Sequence, residues 1–242
     1  MIAIERGRYR ARLAEGPLDL DLVLGLRRAV FRGGLVPDAD KFDALCRHLI
    51  IEEVSGGLVG AARLLAVTGA GIDASYSAQF YDLSALATYP GPMLELGRFA
   101  LAPGLHDPDI LRLAWAALAQ VVAEGGVSLL FGCSSFRGAD PAPHLNALAL
   151  LAERHLAPPR WMPEVKAPAF PFGRVLAGHR VATDTALLEM PPLLRSYLNL
   201  GGWVSDHAVA DAELDTLHVF TGVEVARIPT ARLRALRNLA GL

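Results

Sequence analysis

Apolar positions along this chain follow two rhythms. From Leu18 to Phe31 they recur every three or four residues, with Leu22, Leu26, Ala29 and Val30 on one side. That spacing predicts a helix, ended by Arg32-Gly33-Gly34. Cys46 to Glu53 and Leu58 to Val67 are apolar runs flanking Ser55-Gly56-Gly57, which predicts a β-hairpin. Tyr76 to Leu86 reads as a loop or short helix. Met93 to Leu101 predicts a strand stopped by Pro103-Gly104. A helix is expected from Ile110 to Glu124, capped by Asp107 or Asp109 and closed by Gly125-Gly126. Ser128 to Gly132 predicts an apolar strand, and Pro143 to His155 a helix rich in Ala and Leu.

Beyond this point prolines interrupt both rhythms. Ala157 to Gly173 holds Pro158, Pro159, Pro163, Pro168 and Pro171 and reads as a connector. The pattern therefore divides residues 1–156, a core, from residues 157–242, a C-terminal part completing the sheet with a helical extension. That part predicts a helix near Pro192 to Leu200, a strand from Leu217 to Val225 and an amphipathic helix from Thr230 to Leu239. Helices alternating with strands imply an α/β (α+β) layer architecture. No internal repeat is present.

Composition narrows the class. The chain has 242 residues, 52% of them hydrophobic, enough for one sizeable core with an appended part. A net charge of −2 argues against bulk nucleic-acid binding. Charge is uneven, however. Arg6, Arg8, Arg10 and Arg12 make the start basic, and Arg227, Arg232, Arg234 and Arg237 make the end basic. Cys46 and Cys133 are too few and too far apart for a disulfide framework or zinc cluster, and they fit a reducing cytoplasm. Met1 to Arg6 lacks the apolar region of a signal peptide. The most apolar run, Ile110 to Val122, is broken by Arg112 and Gln120 and is too short to span a bilayer.

The chemistry concentrates in Leu94-Glu95-Leu96-Gly97-Arg98-Phe99-Ala100-Leu101. A buried strand carrying a carboxylate and a guanidinium three residues apart is costly unless the charges are paired or used. Burial raises a carboxylate's proton affinity and suits Glu95 to general-base work. Residues three apart on a strand face opposite sides, but a bulge at Gly97 brings them together and frees N–H groups for a thioester carbonyl. The plainer reading is a structural ion pair. A second cluster joins Arg27, Phe31, Asp38, Asp40 and Asp43. Its alternating acids lack the central Gly and terminal Glu of a calcium loop. A solvated loop and an acidic pocket for a cationic substrate both remain open. Phe136 stands where a nucleophile elbow needs Gly, no Gly-x-Gly-x-x-Gly or phosphate loop occurs, and no His-Glu-x-x-His pattern suggests a metal.

Taken in order, Arg27-x-x-x-Phe31, Asp40-x-x-Asp43, Gly60 to Leu65 and Glu95-x-x-Arg98-Phe99 resemble the acyl-homoserine-lactone synthases of the GNAT acyltransferase fold. Phe42 to Leu49, Gly132-Cys133-Ser134-Ser135-Phe136, Pro191 to Leu198, Leu200 to Val204 and Asp215 to Phe220 make the chain similar, more closely, to the L-ornithine N-acyltransferases. Arg195-Ser196 depart from the Lys-Gly expected there. The loop Ala102 to Pro108 also lacks the Arg/Gln-x-x-Gly-x-Gly/Ala cradle of coenzyme A-dependent members, which fits a carrier-bound phosphopantetheine with a single phosphodiester.

The resemblance implies transfer of a 3-hydroxyacyl chain from acyl carrier protein to the α-amine of L-ornithine, with no other cofactor and no metal. It implies Glu95 and Arg98 as catalytic residues and Arg27, Phe31, Asp40, Asp43, Arg63, Ser134 and Asp215 as substrate-binding ones. Asp40, Asp43 or Asp215 would meet the distal amine, and Arg63 or Arg98 the α-carboxylate. An α-amine, with a reference pKa of about 7.7–8.0, loses its proton more readily than a lysine-like amine at about 10.4. The implied setting is the cytoplasm, with the basic tails suited to carrier protein and to peripheral contact with the inner membrane. An autoinducer synthase and a non-catalytic carrier- or lipid-binding protein on the same scaffold are the rival readings.

Overall fold

The structure, a computed structural model, describes residues 3–105 and 107–242. Met1 and Ile2 of the start discussed above, and His106 of the loop before the second helix, lie outside the described residues. In chain order the elements are β1 (Ala3–Arg6), β2 (Tyr9–Leu13), α1 (Gly16–Phe31), β3 (Arg47–Glu53), β4 (Leu58–Val67), β5 (Tyr81–Asp82), β6 (Met93–Leu101) and α2 (Pro108–Glu124). They continue with β7 (Leu129–Arg137), α3 (Leu145–Arg154), β8 (Glu164–Val165), β9 (Ala169–Phe170), α4 (Phe172–Val175), α5 (Thr183–Glu189), α6 (Pro192–Asn199), β10 (Trp203–Asp211), β11 (Thr216–Glu224) and α7 (Thr230–Ala240).

Contacts group the chain into two compact units, interleaved in sequence rather than divided at residue 157. The first holds the chain up to Ala66, Leu94–Val127 and Thr230–Leu242. In it β1, β2, β3 and β4 pair antiparallel in order, and β6 is hydrogen-bonded beside β4. Helix α1 starts with proline in its first turn, where the missing N–H costs nothing. It ends as predicted: Gly34 N–H returns to Arg28 O while Gly33 takes a left-handed φ of 57°. Its Val23 packs on Ile50 and Ala61 of the β3–β4 hairpin. Asp107 caps α2 by accepting from Asp109 N–H. α7 is tied to α2 through Gln120 Nε2, which donates to Ala240 O.

The hairpin β1–β2 was not expected from the sequence. Tyr9 and Ala11 are buried, while Arg8, Arg10 and Arg12 pair with Asp107, Glu52 and Asp19. The basic start is therefore largely neutralised by neighbouring carboxylates.

The second unit holds Val67–Met93 and Ser128–Pro229. β7, β11, β10 and β9 run antiparallel in that order, and β5 pairs with β8. The predicted strand from Ser128 extends five residues beyond its expected end at Gly132, to Arg137. The proline-rich connector is ordered, contributing β8 and β9. One face packs Phe136, Leu148, Leu151 and Phe172; the other packs Tyr81, Phe131, Trp203 and Phe220. Gly222 is required there, because a Cβ would lie 2.4 Å from the Trp203 ring.

Candidate active site

Asp38 is the hub of the first unit's polar site. Helix α1 places Arg27 on the face that carries Val23, and its side chain is 1% exposed. A guanidinium so buried must be fully bonded. Arg27 donates from Nε to Asp38 Oδ2 at 2.8 Å, from Nη2 to Asp38 O at 2.5 Å and from Nη1 to Asp43 Oδ1 at 2.5 Å. Asp38 also accepts from Arg32 Nε at 3.1 Å and from Arg98 Nε at 3.1 Å.

Three adjacent strands supply the other wall. His48 on β3 stands opposite Arg63 on β4. On β6, a Cβ added to Gly97 would lie 3.9 Å from Arg63 Nε, so these positions share one face. Glu95, two residues before Gly97, projects to that same face and is 4% exposed. Strict alternation would send Arg98 to the opposite face. Instead Arg98 itself, not Gly97, takes a left-handed φ of 48°. That breaks the pleat and brings its guanidinium to Asp38 and, at 3.7 Å, to Asp40. Arg63 Nη1 donates to Asp40 Oδ1 at 2.6 Å and to Asp43 Oδ1 at 3.2 Å. Phe31 lies under the Arg98 guanidinium at 5.7 Å, and Phe42 under that of Arg63 at 5.4 Å.

The charges are thus matched in place. Burial by itself would raise the Asp43 carboxyl, but the Arg27 bond, the Asp40 N–H and the Arg27 and Arg63 charges hold it below its ordinary value. Burial opposes the charge on Arg63 too, and the Asp40 bond and charge outweigh it, raising its proton affinity. Burial lowers His48, which stays neutral at pH 7; its Nε2 lies 3.3 Å from Asp43 O. Burial, opposed by Arg63 and reinforced by Glu95, Asp43 and Asp40, pushes the Cys46 thiol up to about 11. Cys46 is therefore no thiolate nucleophile. The loop acids are neither a solvated loop nor an open acidic pocket: Asp40 and Asp43 already hold guanidinium groups.

Arg27, Phe31, Asp40, Asp43, Arg63, Glu95 and Arg98 come together in this unit. Ser134 and Asp215 belong to the second unit. Ser134 is buried on β7, where its Oγ accepts from Thr221 at 2.9 Å. Asp215 is exposed in the β10–β11 turn with a φ of 48°, and its carboxylate accepts from Ala139 N–H at 3.3 Å. Arg195 is exposed on α6. Sequence reasoning missed Arg32, Phe42, Cys46 and His48 as site residues and left Asp38 in a loop. Their spacing from Asp43 was the available signal. No group of three or more metal-ligating side chains occurs among the described residues.

Residues 28–116 match the acetyltransferase (GNAT) domain family. The chain is 34% identical to an L-ornithine N(alpha)-acyltransferase of Rhodobacter capsulatus, covering 87% of this chain and 88% of that protein. It is 30% identical to a protein of the same name from Brucella abortus, covering 85% and 76%. An N-acyl amino acid synthase from uncultured soil microbes has the same fold, with a TM-score of 0.56 at 11% identity, covering 93% of this chain and 98% of that one. The fold is that of the GNAT acyltransferases, a mixed central sheet flanked by helices.

Proposed function

The chain belongs to the L-ornithine N(alpha)-acyltransferase family and is an N-acyltransferase, and we propose that it transfers a 3-hydroxyacyl chain from acyl carrier protein to the α-amine of L-ornithine, giving lyso-ornithine lipid. The observation that carries this reading is the face shared by Glu95, Arg63 and His48, bounded by guanidinium groups that Asp38, Asp40 and Asp43 hold in place. A buried carboxylate there can take a proton while its surroundings stay fixed.

In the proposed reaction the neutral α-amine attacks the thioester carbonyl. The C–N bond forms, the C–S bond breaks, the amine proton passes to Glu95 and the phosphopantetheine sulfur leaves as thiolate, to be reprotonated. Holding amine and thioester together supplies much of the rate. The reading calls for no cofactor beyond the carrier's phosphopantetheine and for no metal.

The carrier, rather than coenzyme A, is favoured by the start of α2. A pyrophosphate would need that helix's N–H groups. Here the Asp107 carboxylate takes one of them, that of Asp109, and is held anionic by that bond and the Tyr9 hydroxyl, so a negative charge already stands at the helix start. On α7, Leu233 and Leu236 are half-buried while Arg232, Arg234 and Arg237 are exposed and have no ion-pair partner among the described residues. That basic stripe suits an acidic carrier protein and an anionic membrane surface. No helix among the described residues is long and apolar enough to cross a membrane. From the basic stripe and the lipid product of the proposed reaction we infer an enzyme working at the inner face of the cytoplasmic membrane.

Incubation with 3-hydroxyacyl carrier protein and either L-ornithine or S-adenosylmethionine, read by mass spectrometry, tests the reading. Acylated ornithine is the expected product. An acyl-homoserine lactone, or no acylated product, overturns it.

A further inference from the structure

Helix α1 lacks the polar outer face of an ordinary surface helix. Its inward side carries Val23 and Arg27. On the opposite side Leu18, Leu22, Gly25 and Ala29 recur at helical spacing, and all four are exposed, Leu18 at 78% and Leu22 at 57%. A surface helix turns its charged residues to that side. Here the exposed positions of α1 offer only Asp21 and Arg28, and with successive residues about 100° apart both fall on one edge of the apolar row. Neither has an ion-pair partner among the described residues. Seven residues separate them, about 10 Å along the axis, so they do not pair with each other. Leu35 and Val36, just past the helix end, are 88% and 53% exposed and extend the apolar surface.

This face is complementary to itself. When one α1 lies antiparallel to another, crossing between Val23 and Leu24, Leu18 meets Ala29 of the second copy and Leu22 meets Gly25. Large side chains then face small ones, which lets the axes approach to the roughly 8–10 Å of packed helices. A twofold axis perpendicular to the pair keeps like edges side by side. Asp21 of each copy therefore lies within about one turn of Arg28 of the other, and two opposite-charge pairs form. Other occupants fit less well. The one acid and one base of this face cancel, so charge draws neither an anionic bilayer nor an acidic carrier protein. Gly25 and Ala29 also give a bilayer little apolar area to cover.

We propose that the outer face of α1 is the interface of a twofold dimer, occupied by α1 of a second copy of this chain. The pairing covers the back of the helix whose front holds Arg27 against Asp38. It does not depend on the acyl-transfer reading.

Sedimentation equilibrium of the full chain over about 1–200 µM tests the interface, because a contact of one helix face implies a weak dimer. A reversible dimer is expected. Asp21→Arg and Arg28→Asp each bring like charges together and should weaken it at least about tenfold, whereas both changes in one chain should restore most of the affinity. Gly25→Leu separates folding from association. A Cβ at Gly25 meets nothing within 4 Å in the single chain, and leucine is the better helix former. That variant should resist urea at least as well as the parent and yet stay monomeric. A parent protein that is monomeric throughout the range, or a dimer that all three single substitutions leave unchanged, overturns the proposal. Co-sedimentation with anionic vesicles that Gly25→Leu strengthens, in a monomeric protein, also overturns it and gives the face to a bilayer.

Discussion

Arg98 donates from Nε to Asp38 Oδ2 at 3.1 Å, and it reaches that oxygen only because its own backbone leaves the β region at a φ of 48°. The same oxygen accepts from Arg27 at 2.8 Å. One buried carboxylate therefore couples α1 to β6. Arg98 is held in place by Asp38 and Asp40 and by the ring of Phe31. These contacts make it a fixed wall beside Glu95.

Asp38→Asn is expected to destabilise the protein by about 3 kcal/mol, since it removes one of the two carboxylates that neutralise the buried Arg27 and loosens Arg32 and Arg98. By contrast Glu153→Gln, which breaks an exposed pair with Arg154, should cost about 0.5 kcal/mol or less. Urea unfolding of both variants checks the contrast; equal costs would refute the hub.

The second unit should show a pH dependence of its own. His218 is held down at about 4 by burial, against the pull of Asp211 and with help from His207. Its unfolded form titrates near an ordinary 6.5. Between those values the unfolded chain binds the proton and the folded one does not. The stabilisation is complete above about pH 6.5 and is lost as pH falls toward 4, by about 3 kcal/mol. Urea unfolding at pH 7 and pH 4.5 should show that loss, and His218→Gln should flatten it. An equal slope in both proteins would contradict the assignment.

The exposed arginines of α7 give a kinetic expectation. Arg232→Glu with Arg234→Glu should raise the KM for acyl carrier protein and weaken its salt dependence, with the KM for ornithine unchanged. Steady-state rates at two salt concentrations measure this. An unchanged carrier KM would exclude α7 from docking.

Helix α1, the β3–β4 hairpin, β6 and α2 were legible because their apolar spacing and glycine or proline stops agree. β2 was not, because Arg8, Arg10 and Arg12 alternate with Tyr9 and Ala11 and find their acids on other elements. β10 was hidden by buried polar residues: Ser205 is bonded to the His207 carbonyl, and Asp211 accepts from Tyr76. Within the site, Glu95 and Arg98 were legible as charges on an apolar strand. The role of Asp38 was not, because its arginines come from α1, the turn after it and β6. Local spacing also left open which residue of Gly97-Arg98 breaks the pleat; the pull of two carboxylates assigns the left-handed turn to the arginine.

Single-turnover acylation of L-ornithine by Glu95→Gln, with folding checked by circular dichroism, tests the central claim most directly. The variant keeps the side chain's shape and removes the proton acceptor. The account predicts a native spectrum with transfer slowed at least about 100-fold. A native spectrum with near-normal turnover would contradict it and remove Glu95 as the base.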